Sequence, residues 1–151
     1  MQTIHWYHQL IADSQMPAFT ILRLDSYNQE YEGFDFCFEH DLNVQYRSRL
    51  AKKTSKKAGY FLAIWEKNSE NKNVPFDIEK FPEYLVVNIM DGDQKGRFIF
   101  PKSILYSQGI LSSPTEKGKM AFRIYAPWNK NLNSNASKVA KWQLPFFVGG
   151  F

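Results

Sequence analysis

Two apolar runs on either side of a turn signal constrain this chain most. Tyr84 to Met90 reads as an apolar strand, Asp91-Gly92-Asp93 marks a turn, and Arg97-Phe98-Ile99-Phe100 completes a hairpin. Such a hairpin commits the chain to a sheet, and other segments supply further strands. Phe34-Asp35-Phe36-Cys37-Phe38 alternates with period two, Val44 to Leu50 alternates as well, Tyr60 to Trp65 reads as a buried strand, and Met120 to Tyr125 as another. The thirteen Phe and eight Tyr agree with this, since aromatic rings suit a pleated, half-buried surface.

Helices bracket the strands. Thr3 to about Ser14 is predicted helical, with Thr3 as its cap, Ile4, Tyr7, Leu10 and Ile11 on one face, and Pro17 just past its end. Pro101 at a first helical position and Gly109 at a left-handed cap enclose a short helix over Lys102 to Gln108. Asn133 to Leu144 is a final helix with Ala136, Val139 and Ala140 inward. Ala18 to Leu24 fits either a short strand or part of a second helix, and residues 25–31 a turn or short helix stopped by Gly33. Glu66 to Glu83, polar and carrying Pro75 and Pro82, reads as a surface connection; Pro145 to Phe151 is an apolar tail packing on the body. The order predicts an α/β (α+β) fold, a mixed β-sheet flanked by helices. With 151 residues, 44% of them hydrophobic, and no linker, residues 1–151 form one domain.

Composition excludes several classes. A lone cysteine, Cys37, rules out an intrachain disulfide and a Cys-rich zinc site, and reads as a buried strand residue. The polar, His-bearing start is no signal sequence and no run of about 18 apolar residues occurs, so a cytoplasmic protein without a membrane span is expected. His5 and His8 share a helix face but lack a third ligand, and no metal site is expected there.

Charge is segregated along the chain. Residues 1–41 hold seven acids and one base, Arg23; residues 42–65 hold six bases and no acid; residues 102–151 hold seven bases and one acid, Glu116. Two basic segments after an acidic opening point to a polyanionic partner, DNA or RNA, with a solvated surface as the alternative. Arg47, Lys52, Lys56, Lys57, Lys102 and Arg123 are the candidate phosphate contacts, and Trp65, Tyr125, Trp128 and Trp142 could frame a site or stack on bases. Arg47 and Arg49 lie on one strand face, and an Arg there needs a partner. Lys138 and Trp142 are four apart on the last helix, with Lys141 beside them and Lys119 and Arg123 preceding. If that helix lies near the 47–57 segment, both basic regions form one groove.

Four ordered blocks carry a family resemblance. They are Arg47-Ser-Arg-Leu-Ala-Lys-Lys-Thr-Ser-Lys-Lys-Ala-Gly-Tyr-Phe-Leu-Ala-Ile-Trp65 with Pro75-Phe76-Asp77 after it, Gly96-Arg-Phe-Ile-Phe-Pro-Lys-Ser-Ile-Leu105, Gly118-Lys-Met-Ala-Phe-Arg-Ile-Tyr-Ala-Pro-Trp128, and Lys141-Trp-Gln-Leu-Pro-Phe-Phe147. Over about residues 25–147 the chain resembles the MepB-like family. Ser55 stands where that pattern has Pro, Tyr60 where it has Gln, and Asn135-Ala136 and Val139-Ala140 where it has Gln-Ala and Thr-Gln pairs. The resemblance implies a restriction-endonuclease-like core, a scaffold that hosts nucleases, inactive relatives and binding domains.

The expected function is therefore nucleic-acid binding on a nuclease-like scaffold, without assured catalysis. One alternative is a metal-dependent nuclease using Glu30 and Asp35, with a lysine such as Lys56 near the scissile phosphate and Mg or Mn as its only cofactor. The Glu/Asp-x-Lys element it needs is not cleanly present: Asp93-Gln94-Lys95 sits in the hairpin turn. The other alternative is a domain that binds an anionic or planar small molecule in an aromatic-lined pocket.

Overall fold

A computed structural model describes residues 1–149. In chain order the elements are α1 (Gln2–Ala12), β1 (Phe19–Leu24), a 3-10 turn (Gln29–Tyr31), β2 (Phe34–Phe38), β3 (Asp41–Leu50), β4 (Lys52–Lys53), β5 (Tyr60–Ala63), β6 (Trp65–Lys67) and β7 (Asn73–Pro75). There follow β8 (Tyr84–Asp91), β9 (Gln94–Pro101), α2 (Lys102–Ser107), β10 (Ala121–Ile124), α3 (Ser134–Gln143), a 3-10 turn (Leu144–Phe146) and β11 (Phe147–Val148).

The main sheet has the order β1-β2-β3-β8-β9-β11. Strands β3 and β8 are parallel and every other neighbouring pair is antiparallel, so the sheet is mixed and the fold α+β. The predicted hairpin is its centre: β8 and β9 pair along their whole length, with Gly92 at φ +61° in the turn. Because side chains alternate across a strand, β8 feeds two cores. Leu85, Val87 and Ile89 face one core and Val86 the other.

Helix α1 covers the second face, where Tyr7 and Leu10 pack on Phe34, Phe36 and Val86. The first face is covered by a three-stranded sheet, β10-β5-β4, together with α2, α3 and the 76–81 segment. One helix therefore covers one face, and a second sheet with two further helices covers the other.

Several local expectations shift. Helix α1 starts at Gln2, so Thr3 lies inside it, fully buried, with its backbone N–H donating to Glu32 Oε1 at 2.8 Å rather than capping. Ala18 to Leu24 resolves as an edge strand, and residues 29–31 as the short helix. The Tyr60–Trp65 run breaks at Ile64, whose N–H donates to Met120 O, and β6 then turns into β7. The 66–83 connection is less superficial than its polarity suggested, because Phe76 and Phe81 are buried. Of the apolar tail, Phe147 and Val148 join the sheet beside β9, and Gly96 permits this: a Cβ there would meet the Phe147 ring at 2.4 Å. The tail's last two residues lie outside the described ones. Among the described residues no helix is long and apolar enough to cross a membrane.

Candidate binding cleft

Loop 54–59, between β4 and β5, forms one wall of a cleft. Gly59 adopts φ +80°, and a Cβ there would strike Ile124 O at 2.5 Å and the Tyr125 ring at 2.7 Å. Only glycine lets the loop close this tightly on the end of β10. Arg123, on β10, fastens it: Nη2 donates to Thr54 Oγ1 at 2.7 Å and to Ala58 O at 2.8 Å. Lys56 and Lys57 ride on the fastened segment, exposed.

Helix α3 forms the opposite wall. Asn133 caps it, its side chain accepting from Ala136 N at 2.8 Å. Gln143 ties its far end to β10. That side chain is fully buried; its Oε1 accepts from Tyr125 N at 2.9 Å and its Nε2 donates to Arg123 O at 2.8 Å. The amide supplies the two hydrogen bonds that a further strand would have given this free edge. Trp142 packs on Phe100 with ring centroids 5.3 Å apart, seating the helix on the main sheet.

Between the walls lies a cleft of about 590 Å³. Lys56, Lys57, Lys119 and Arg123 line it, with no carboxylate among the described residues that line it. Gln108, Asn131, Asn133 and Asn135 contribute polar groups, and Tyr125 and Trp142 aromatic surface. The structure thus brings together six residues singled out from sequence, Lys56, Lys57, Lys119, Arg123, Tyr125 and Trp142, from three segments of the chain. Arg123 enters as a fastener of the lysine loop as well as a cation. Asn131 and Asn133 read in sequence as turn or cap and Asn135 only as a departure from the family pattern; the fold places all three along the cleft.

The other candidates lie elsewhere. Arg47 is only 7% exposed; its Nε and Nη2 donate to the two Asp35 oxygens at 2.8 and 3.0 Å, and the guanidinium lies over the rings of Phe76 and Phe81 at 4.6 and 5.0 Å. It has the partner an Arg on a strand face requires, and that partner is internal, so Arg47 is corrected from a phosphate contact to a core ion pair. Arg49 is likewise paired with Asp25, and burial draws its pKa down, offset in part by the Asp25 charge. Lys52 is exposed, its ammonium 5.4 Å from the Tyr31 ring. Trp65 is half-buried against Tyr27. Lys102 begins α2 and Lys138 is exposed on α3; neither lines the cleft.

Trp128 also has a structural duty. Its Nε1 donates to Tyr60 Oη at 2.7 Å, and that hydroxyl donates to Asp91 Oδ2 at 2.7 Å, with Lys53 Nζ 3.4 Å from the same carboxylate. Burial pushes the Tyr60 pKa up to about 12, the Asp91 charge adding to the rise and the Trp128 bond opposing it. The tyrosine that departs from the family pattern is therefore the hub of a polar network.

The acids named for metal chemistry do not fit a divalent ion. Both Asp35 oxygens already accept from Arg47, so a guanidinium sits where a metal would. Glu30 is exposed on the 3-10 turn, and neither acid lines the cleft that holds Lys56. Among the described residues no group of three or more His, Cys, Asp or Glu is placed to hold a metal ion.

Fold and cleft together define a mixed-sheet α+β protein with a cleft between a loop and its last helix. The MepB-like family model matches residues 25–149, and the chain belongs to the MepB-like family. It is similar to a solved crystal structure of MepB at 40% identity, with 93% of each chain covered and a TM-score of 0.85. None of the curated proteins matches it.

Proposed function

We propose that the cleft binds nucleic acid, single strands in particular, through its cations and aromatic surface. The observation that carries the reading is the convergence of Lys56, Lys57, Lys119 and Arg123 in one cleft with no carboxylate among the described residues lining it. Four cations without local countercharges concentrate positive potential between low-dielectric walls, which favours a polyanion and releases its counterions. Half-buried Trp142 adds π surface on which a splayed base can stack, Tyr125 being buried, and the asparagine amides can meet base edges. The cleft opens on one loop and one helix, a geometry that suits an extended strand. Catalysis is not part of the proposal, given the pairing of Asp35.

A second reading follows from size. About 590 Å³ also lies within the range of small-molecule sites, so an anionic, planar ligand of nucleotide size fits the same chemistry. Fluorescence anisotropy separates the two. Labelled single-stranded DNA, duplex DNA and RNA are titrated at two salt concentrations, with a mononucleotide as competitor. Salt-sensitive binding of an oligonucleotide that a mononucleotide displaces poorly supports the first reading. Binding of the mononucleotide alone supports the second, and no binding of any probe contradicts both. A gel of the same tubes after incubation with magnesium or manganese tests for cleavage, and no cut product is expected.

A further inference from the structure

Strand β1 is the outermost strand of the main sheet, and residues 20–24 are all exposed. Ile21, Leu22 and Leu24 are 38, 47 and 56% exposed, a concentration of bare aliphatic side chains on an unpaired sheet edge. Proteins normally blunt such an edge with lysine, proline, an inward charge or a very short strand. The opposite edge follows this rule, since β11 is two residues long. Strand β1, Phe-Thr-Ile-Leu-Arg-Leu, carries neither lysine nor proline, and its one charge, Arg23, is turned onto Asp35 at 3.4 Å.

We propose that β1 pairs with β1 of a second copy of this chain, antiparallel about a two-fold axis, joining two six-stranded sheets into one. The strand's own sequence supports a copy as the occupant. The register shift between Ile21 and Arg23 makes Leu22 the extra residue of a bulge, so Ile21 and Leu24, opposite Phe36 and Phe34, lie on the face covered by α1. A two-fold perpendicular to the sheet keeps the α1 helices of both copies on that same face. In the register that sets Ile21 of each copy opposite Leu24 of the other, the exposed aliphatic side chains of this face meet one another. With Leu22 bulged in both strands the two Arg23 residues flank the two-fold, each countered by its own Asp35, and Asp25 faces Thr20. A lysine-rich or acidic peptide would gain nothing from this strip. One strand pair with aliphatic flanks falls among small interfaces, below about 1,200 Å², so the dimer dissociates on dilution.

Sedimentation velocity of the full chain tests this directly. The wild type is expected to move from monomer toward twice the mass as concentration rises over about two decades. The Leu22→Lys/Leu24→Lys variant should stay monomeric throughout, with an unchanged melting temperature because both positions are exposed. Mild oxidation of the Ile21→Cys/Leu24→Cys variant should give a covalent dimer on a non-reducing gel, since positions 21 and 24 of one strand are too far apart to bridge within a copy. A wild type that stays monomeric across the range overturns the proposal, and so does a dimer that the lysine variant leaves intact.

Discussion

Buried charge decides the outcome at several single positions. Asp35 and Arg47 satisfy each other below the surface, and removing one strands the other. Asp35→Ala should lower unfolding free energy by about 3–5 kcal/mol, the range for breaking a buried pair, read from a urea melt. A surface metal ligand would lose almost nothing in the same assay. Arg123 makes a different prediction. Its Nη2 reaches two acceptors on the lysine loop, a geometry that a single ammonium on a shorter stem cannot reproduce. Arg123→Lys keeps the charge but should loosen the loop, seen as faster amide exchange over residues 54–58 with the rest of the chain unaffected. Sequence exposed these residues without their roles. A pair of arginines two apart on a strand shows that they share a face. Whether that face meets water or a carboxylate depends on the register of β2 against β3, a long-range property.

Among the elements, the hairpin β8–β9 was fully legible, because its apolar runs and its Asp-Gly turn agree locally with the global fold. So were α2 and α3, through their flanking Pro, Gly and Asn. The edge strand β1 was not, since a strand exposed on both faces has no burial period to read. The union of loop 54–59 with α3 was legible only as a conditional, for it rests on contacts across some seventy residues, such as Arg123 with Thr54. Gln143 is the joint that makes it. Gln143→Ala leaves the Tyr125 N–H and the Arg123 carbonyl without their partner in a dry site, and should cost about 2–4 kcal/mol while detaching α3 from β10. Gln143→Glu can still accept from Tyr125 but cannot donate to Arg123 O, so it should not restore the stability that Ala removes.

Over the whole molecule, two tyrosines link stability to alkaline pH. Burial raises Tyr7 from 10.0 to about 12, its bond to Ser48 opposing the shift, and Tyr60 also rises to about 12. In the unfolded chain both lose their protons first, so unfolding releases protons above pH 10. Stability is then flat below pH 10 and falls between pH 10 and about 12, by about 2–3 kcal/mol for Tyr7 alone. Thermal melts from pH 8 to 11.5 check this, and Tyr7→Phe should shallow the decline while lowering the plateau, because the hydroxyl also bonds Asn88 at 2.9 Å.

The charge map belongs to this scale too. The acidic opening spends Asp25 and Asp35 on Arg49 and Arg47 inside the fold, while Lys56, Lys57 and Lys119 meet no carboxylate among the described residues lining the cleft. The salt dependence of single-stranded DNA binding tests that asymmetry most directly, wild type against Lys56→Ala/Lys57→Ala. Each phosphate contact on a single strand contributes about 0.7 to the slope of log K against log salt, so the double variant should bind more weakly with a slope smaller by about 1.4. An unchanged slope and affinity would contradict the assignment of the cleft.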